Sequence, residues 1–317
     1  MKMYYRLVFF LLILAQTGPG WGVPLGLEGT AGIVDSAGRH ITVTAPFTRV
    51  ISLYAAHTEN IYALGAEGQL RGVSRSSNYP PAAAGKKVYS PHSGPEKFLA
   101  ARPDLILVRP MIDRAYPGLI TQLEKTGVTV ASLQPVTIDG MYRYWQVLGR
   151  LLGREQRAAA MATVFARRTQ TIAHVTAALS PKKRVYFESI HQKMKTFAPT
   201  AMAVFSLTTA GGINVAADAA AVRGTNIAFY GKERILAKGA QIDVYLAQRG
   251  RMNPVTIERI RNEPGFDTIK AVRDGQIHLI DEAIVSRPTP RLLTGICRIG
   301  AILYPDLFPA SFQDICK

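Results

Sequence analysis

The 317-residue chain reads as an α/β protein built of two similar lobes, bridged by a long α-helix and leaving a ligand cleft between them. Strand-like apolar runs alternate with helical patterns in both halves, which indicates parallel α/β layers. A helix-into-strand phrase also occurs twice, as "PEKFLAARPDLILV" at 95–108 and "KERILAKGAQIDVYLA" at 232–247. Each copy runs from a glutamate through a basic residue, a large apolar residue, Leu and Ala to an Asp ahead of an apolar run. Between the copies lies an extended helical stretch. Two copies of such long period make paired lobes rather than a solenoid.

The N-terminus has the order of an export signal: Lys2 and Arg6 in "MKMYYR", the nine apolar residues "LVFFLLILA", then the small-residue and proline break "QTGPGWG". Nine residues are too few to span a bilayer. The signal is assigned to 1–22, with cleavage somewhere in 16–26, and no Cys follows the apolar run to carry a lipid. A soluble chain outside the cytoplasm is expected, in the periplasm of a bacterium with an outer membrane. Cys297 and Cys316 are the two cysteines, and in an exported chain they can pair.

Residues 33–138 form the expected N-terminal lobe. "IVDSAGRHITV" suits a hairpin, "RVISLYA" a buried strand, and "HTENIYALG" a short helix ended by Gly65. "LRGVSRSS" suits a strand and loop, "NYPP" a turn, "YPGLITQLEKTG" a helix and "VTVASL" a strand. From 139 to 180 the pattern becomes helical, interrupted at Gly153. Ala158, Met161, Phe165, Ile172, Val175 and Leu179 recur at one helical face, and about 24 helical residues would extend about 36 Å, the width of a domain. This is the bridging helix. The second lobe, 181–317, then repeats the first: "KRVYFESI" echoes "TRVISLYA", and "AVRDGQIHLID" and "RPTPRLLTGICRIGAILYP" add a strand and a closing helix.

The chain carries 38 basic and 22 acidic residues, a formal charge of +16. Its basic residues are scattered, with no run longer than "KKR" at 182–184 and no zinc-finger, basic-zipper or RNA-sheet motif, so no nucleic-acid partner is expected. No G-x-S-x-G elbow, H-E-x-x-H, P-loop or G-x-G-x-x-G after a strand is present either, and the chain is not expected to be an enzyme. A hydrolase using Glu188 and His191 as an acid/base pair is the remaining catalytic alternative.

The segments "RVISLYAAHTENIYALGAEGQLRGVS", "NYPP", "PEKFLAARPDLIL", "LGRLLGREQRA", "AGGINVA", "KERILA", "AVRDGQIHLID" and "PTPRLL" occur in an order that resembles the helix-bridged periplasmic substrate-binding proteins of iron-complex and cobalamin ABC importers. The resemblance covers about 33–308. It departs at "QIDVYL", where that family usually has Pro-Asp, and in lacking a Cys near "TTAGG". It implies two Rossmann-like lobes, an ABC importer permease dimer in the inner membrane as partner, and a small-molecule metal complex as transported ligand with no intrinsic cofactor. It also implies that a glutamate on each lobe's rim pairs with permease arginines; by position these are Glu96 and Glu233. "SGPE" at 93–96 offers a second role for Glu96, in a capping box with Ser93 as N-cap.

In open α/β sheets, ligands settle beyond the C-terminal ends of the strands. The loops there offer Tyr54, His57, Arg75, Tyr79, His92, Arg109 and Met111 from the first lobe. The second offers Glu188, His191, Lys193, Lys195, Arg223, Asn226, Arg249, Arg251 and Arg287. Of these, Tyr54, Arg75, Tyr79, His92, Arg109, His191, Lys193, Lys195, Arg223 and Arg287 are the candidate ligand-binding set. Arginine forks and lysines suit an anionic, oxygen-rich ligand, foremost a siderophore-like ferric chelate. Cobalamin or haem, with Tyr54, Tyr79, Tyr89 and Phe205 available for stacking, remains an alternative, as does an oxyanion such as molybdate. A bare divalent metal held by His57, His92, His191 and Glu188 is a further one.

Overall fold

The computed structural model describes residues 26–28, 32–222, 224–308, 312 and 314–316; the export-signal segment 1–22 and Arg223 lie outside them. A small antiparallel sheet of β1 (Gly26–Glu28), β2 (Gly32–Val34) and β3 (His40–Thr42) precedes the first lobe. The expected hairpin is β2–β3. Its turn is fastened by Asp35, which is fully buried. One carboxylate oxygen accepts from the backbone N–H groups of Ala37 and Arg39, and the other from that of Ser132, all at 2.8 Å.

The first lobe comprises β4 (Val50–Ser52), α1 (Ala55–Ala63), β5 (Leu70–Ser74), β6 (Val88–Tyr89), α2 (Pro95–Leu99), β7 (Leu105–Val108), α3 (Pro110–Ala115), α4 (Pro117–Lys125) and β8 (Thr129–Ser132). Its five strands are all parallel, in the order β6-β5-β4-β7-β8. β4 and β7 are buried along their whole lengths, which explains their unbroken apolar runs: helices cover both faces of a parallel sheet.

Two helices follow, α5 (Ile138–Leu152) and α6 (Glu155–Ala177). Gly153 between them has φ +63, and a Cβ there would lie 2.6 Å from Pro46, so both backbone and space require glycine. The 23 residues of α6 extend about 35 Å. Its buried stripe is Ala158, Phe165, Thr169, Ile172 and Thr176. The expected face is thus rotated: Met161 is half-buried, Val175 is exposed and Leu179 lies past the helix end. Threonine hydroxyls at 169 and 176 satisfy themselves on backbone carbonyls, which lets them replace apolar side chains on the buried face.

The second lobe contains β9 (Arg184–Ile190), β10 (Lys195–Phe197), α7 (Met202–Thr209), β11 (Ile213–Asn214), β12 (Ala220–Ala221), β13 (Ile227–Phe229), α8 (Lys232–Ala237), β14 (Val244–Arg249), α9 (Ile257–Arg261), α10 (Lys270–Arg273), β15 (Ile277–Asp281), α11 (Glu282–Val285) and α12 (Leu292–Leu303). Parallel strands β9, β14 and β15 repeat the β4-β7-β8 arrangement. The other half of the sheet differs, because β10 turns back antiparallel on β9 and pairs antiparallel with β13.

The repeated aspartates do the same work in each lobe. Asp104, just before β7, accepts from Thr48 N at 2.9 Å and Arg49 N at 2.8 Å, tying down the start of β4. Asp243, just before β14, accepts from Arg184 N at 2.9 Å at the start of β9 and from Lys270 Nζ at 2.6 Å. Burial opposes ionisation at both carboxyls, but these donors prevail and hold both below the usual carboxylate range.

One apolar cluster runs without a break from Val50, Leu105 and Ala131 of the first lobe, through Trp145 and Leu148 of α5 and Phe165 of α6, to Phe187, Leu207 and Ile296 of the second. Phe165 sits at its middle, edge-on to Trp145 (5.4 Å between centroids) and stacked on Phe205 (6.4 Å). Cys297 in α12 is bonded to Cys316, so the last helix is stapled to the tail. Replacing Phe165 by Ala removes the ring that joins α5, α6 and α7; urea unfolding should show a loss of about 3–5 kcal/mol.

Candidate ligand-binding cleft

Beyond the C-terminal end of β4 the chain enters α1 at Tyr54, and almost every residue of that helix is buried. His57 bridges two neighbours: Nε2 donates to the Val108 carbonyl at 3.0 Å, and Nδ1 accepts from the Tyr144 hydroxyl at 2.6 Å. Burial, with Arg109 adding to it, drives the imidazole down to about 4 although the Val108 carbonyl resists. Asn60 Nδ2 donates to Tyr144 Oη at 3.2 Å and to the Pro288 carbonyl at 2.9 Å. That carbonyl also accepts from Trp145 Nε1 at 3.2 Å.

The segment 287–291 of the second lobe is thereby seated on α1 and α5. Its two arginines converge on Glu59, which is 4% exposed: Arg287 Nη1 donates to Oε1 at 2.6 Å and Arg291 Nη1 to Oε2 at 3.3 Å. In front of this clamp lies an open cavity of about 280 Å³. The first lobe supplies Asn78 and Tyr79 to it; the second supplies Gly250, Asp281, Glu282, Arg287 and Arg291. Arg291 lies over the Tyr79 ring at 3.9 Å, and Arg109 over the Tyr54 ring at 5.0 Å. Burial raises the Tyr54 hydroxyl above its ordinary value, against the pull of Arg109 and Arg287.

The structure gathers only part of the expected set here. Tyr79 and Arg287 line the cavity, Tyr54 lies within electrostatic reach of both Arg109 and Arg287, and Arg75 is exposed on the loop leading to Asn78. His92 is exposed and pairs with Tyr116 Oη at 3.0 Å, while Lys193 is exposed and Lys195 half-buried in the β9–β10 hairpin. Arg223 lies outside the described residues.

His191 departs from expectation. It is 2% exposed, with Nδ1 on Glu188 Oε2 at 2.8 Å. Glu188, also buried, further accepts from Tyr245 Oη at 2.5 Å and Asn253 Nδ2 at 3.2 Å. Both side chains are enclosed within the second lobe, where Asn253 bonds the Glu188 carboxylate and the His191 backbone, and Glu263 and Phe266 lie against the His191 ring. This removes the Glu188–His191 pair as a cleft acid/base pair. His57, His92 and His191 are likewise held by separate partners, so the bare-metal grouping does not form; among the described residues no cluster of three or more His, Cys, Asp or Glu could hold a metal ion. Tyr89 is a core residue packed on Phe98, and Phe205 is half-buried against Phe165. Ser93 does not cap α2: the N-cap is Gly94, with no side-chain capping bond.

Glu96 and Glu233 are both exposed, and each is the second residue of a short helix after a glycine N-cap, Gly94 or Gly231. Each carboxylate turns back toward its glycine, near where a Cβ would stand. Sequence reasoning missed Glu59, Asn78, Asp281, Glu282 and Arg291. The doubled arginine of "RPTPR" was the available signal for the last.

Two α/β lobes, a helical bridge and a cavity fed by both lobes define a bilobed solute-binding protein. A family model described as periplasmic binding protein matches residues 50–284, and the chain belongs to that family. It is 24% identical to an uncharacterised ABC transporter substrate-binding lipoprotein, YvrC, of Bacillus subtilis, over 87% of this chain and 86% of that one. It is 28% identical to a vitamin B12-binding protein of Vibrio cholerae, over 81% of this chain and 90% of the relative. Among solved structures, a possible iron-binding (periplasmic solute-binding) protein from Staphylococcus epidermidis superposes with a TM-score of 0.70 at 26% identity, covering 82% of this chain and all of the other.

His57 makes a pH prediction. Because its folded value lies near 4, below the ordinary 6.5, the unfolded chain binds the proton first as pH falls. Its contribution is complete above about pH 6.5 and is lost on the way down to about pH 4. Urea midpoints for the parent should fall across that window, by on the order of 3 kcal/mol in stability, more than for His57→Gln.

Proposed function

We propose that the chain is an extracytoplasmic receptor that captures an organic metal complex between its lobes and delivers it to the permease of an ABC importer. The cavity fed by Asn78 and Tyr79 on one side and by the 281–291 segment on the other carries this reading, because guanidinium groups and a phenol at a lobe junction suit an oxygen-rich chelate. A siderophore-like ferric complex is the cargo that the arginines favour, with Arg75, Arg109, Arg287 and Arg291 toward its oxygens and Tyr54 and Tyr79 against its apolar parts.

A corrinoid is the second reading, supported by the vitamin B12-binding relative in Vibrio cholerae. Against it, Trp145 is fully buried in the lobe junction, which leaves Tyr54 and Tyr79 as the aromatic walls among the described residues of this site. Delivery follows from Glu96 and Glu233: two exposed carboxylates on rigid short helices orient a basic docking partner and steer its encounter. Both belong to the periplasm in this reading, with the leader 1–22 removed.

Native mass spectrometry with metal analysis of protein purified from its own periplasm should return iron with an organic mass; cobalt with a corrinoid mass selects the second reading, and neither metal would overturn both. Glu96→Ala combined with Glu233→Ala should abolish uptake in cells while leaving cargo affinity within about twofold, since neither residue lines the cavity. Uptake equal to that of the parent would refute the docking role.

A further inference from the structure

The arginines that line the cavity are already engaged. Arg287 and Arg291 each give a guanidinium nitrogen to Glu59, at 2.6 and 3.3 Å, and Glu59 uses both oxygens in doing so. The cavity wall adds two carboxylates of its own, Asp281 and Glu282. Against these two arginines stand three carboxylates, Glu59, Asp281 and Glu282; Arg109 lies over the Tyr54 ring and Arg75 is exposed on the loop leading to Asn78. The basic excess of the whole chain therefore does not extend to the lining of this cavity.

We infer that Glu59 is the charge-selectivity residue of the cleft: it acts as a built-in counter-anion on Arg287 and Arg291 and restricts the cargo to complexes of low net charge. The inference rests on the reading of this cavity as the cargo site and narrows it. Glu59 is a positioning residue, acting through the two arginines and not by touching the cargo. A multiply negative chelate can reach those guanidinium groups only by competing with a nearly buried carboxylate already bound to both. A neutral or singly charged complex does not have to displace it, and can use the free guanidinium edges and the two tyrosines.

The test titrates the parent, Glu59→Gln and Glu59→Asp with two ferric probes of opposite character, a triply negative tricatecholate and an uncharged trihydroxamate. A third arm adds millimolar orthophosphate and follows the melting temperature. Glu59→Gln should improve the tricatecholate-to-trihydroxamate affinity ratio by about tenfold or more, and orthophosphate should raise the melting temperature of that variant but not of the parent. Glu59→Asp keeps the charge and should keep the parent's ratio.

A purely structural role would move both probes together, and that result overturns the inference, as does an equal phosphate response in parent and variant. Should Glu59→Gln not fold, the Glu59→Gln/Arg287→Gln double variant removes both partners of the pair, and its free Arg291 must then confer the phosphate response or the inference fails. If neither ferric complex binds any of the proteins, the cargo reading falls, while the phosphate arm still decides the role of Glu59.

Discussion

The Pro288 carbonyl, deep in the molecule, accepts hydrogen bonds from Asn60 of α1 and Trp145 of α5, and the rest of the architecture depends on that junction. A buried carbonyl must be satisfied, and here one donor comes from the other lobe and one from the helical bridge. Pro288 and Pro290 stiffen the segment, so Arg287 and Arg291 emerge on either side of it at a set spacing and both reach Glu59. His57 and Tyr144 complete the network beneath, each holding the other to the backbone of β7 or to Asn60. With an unbroken apolar cluster running alongside, the lobes are coupled by packing as well as by polar contacts. A cleft built on such a junction is preformed, and a stiff α6 spanning the molecule favours small displacements on loading over a wide hinge motion.

The two lobes reuse the same local solutions where the chain needs the same thing. Asp104 and Asp243 each pin the N-terminal start of a central strand, and Gly94 and Gly231 each open a short helix with a glutamate at its second position. They diverge where the second sheet takes up the antiparallel β10 and β13. At the end of β9, Asn253, Glu263 and Phe266 enclose Glu188 and His191 within the second lobe. The cleft is consequently asymmetric. The first lobe contributes aromatic and amide groups, and the second contributes most of the charge.

Charge is also where the chain's composition misleads. A formal +16 invites the expectation of a cationic binding surface, yet the cavity's two arginines are paired with Glu59 of the first lobe and share the wall with Asp281 and Glu282 of the second. Such pairing costs desolvation and returns orientation: each guanidinium is held in one pose, ready for a ligand's oxygens. Tyr79 under Arg291 and Tyr54 under Arg109 add further restraint.

Sequence alone determined the elements that answer to local rules. Apolar runs marked the parallel strands, because a strand covered on both faces has no polar side; Gly153 marked the break between the two long helices, because it takes a left-handed conformation; the repeated phrase marked the paired lobes. It also pointed to the periplasmic binding proteins, the family whose model matches residues 50–284. Tertiary structure alone decided which polar residues meet. Glu59 and Asn60 stand in "HTENIYALG" as unremarkable helix positions and acquire their roles from a segment 228 residues away. His191, next to the lysines of "HQKMK", looks like a surface cation until Glu263 and Phe266 pack against it. Long-range pairing of charges is set by how lobes pack, and packing geometry is not written in any local pattern.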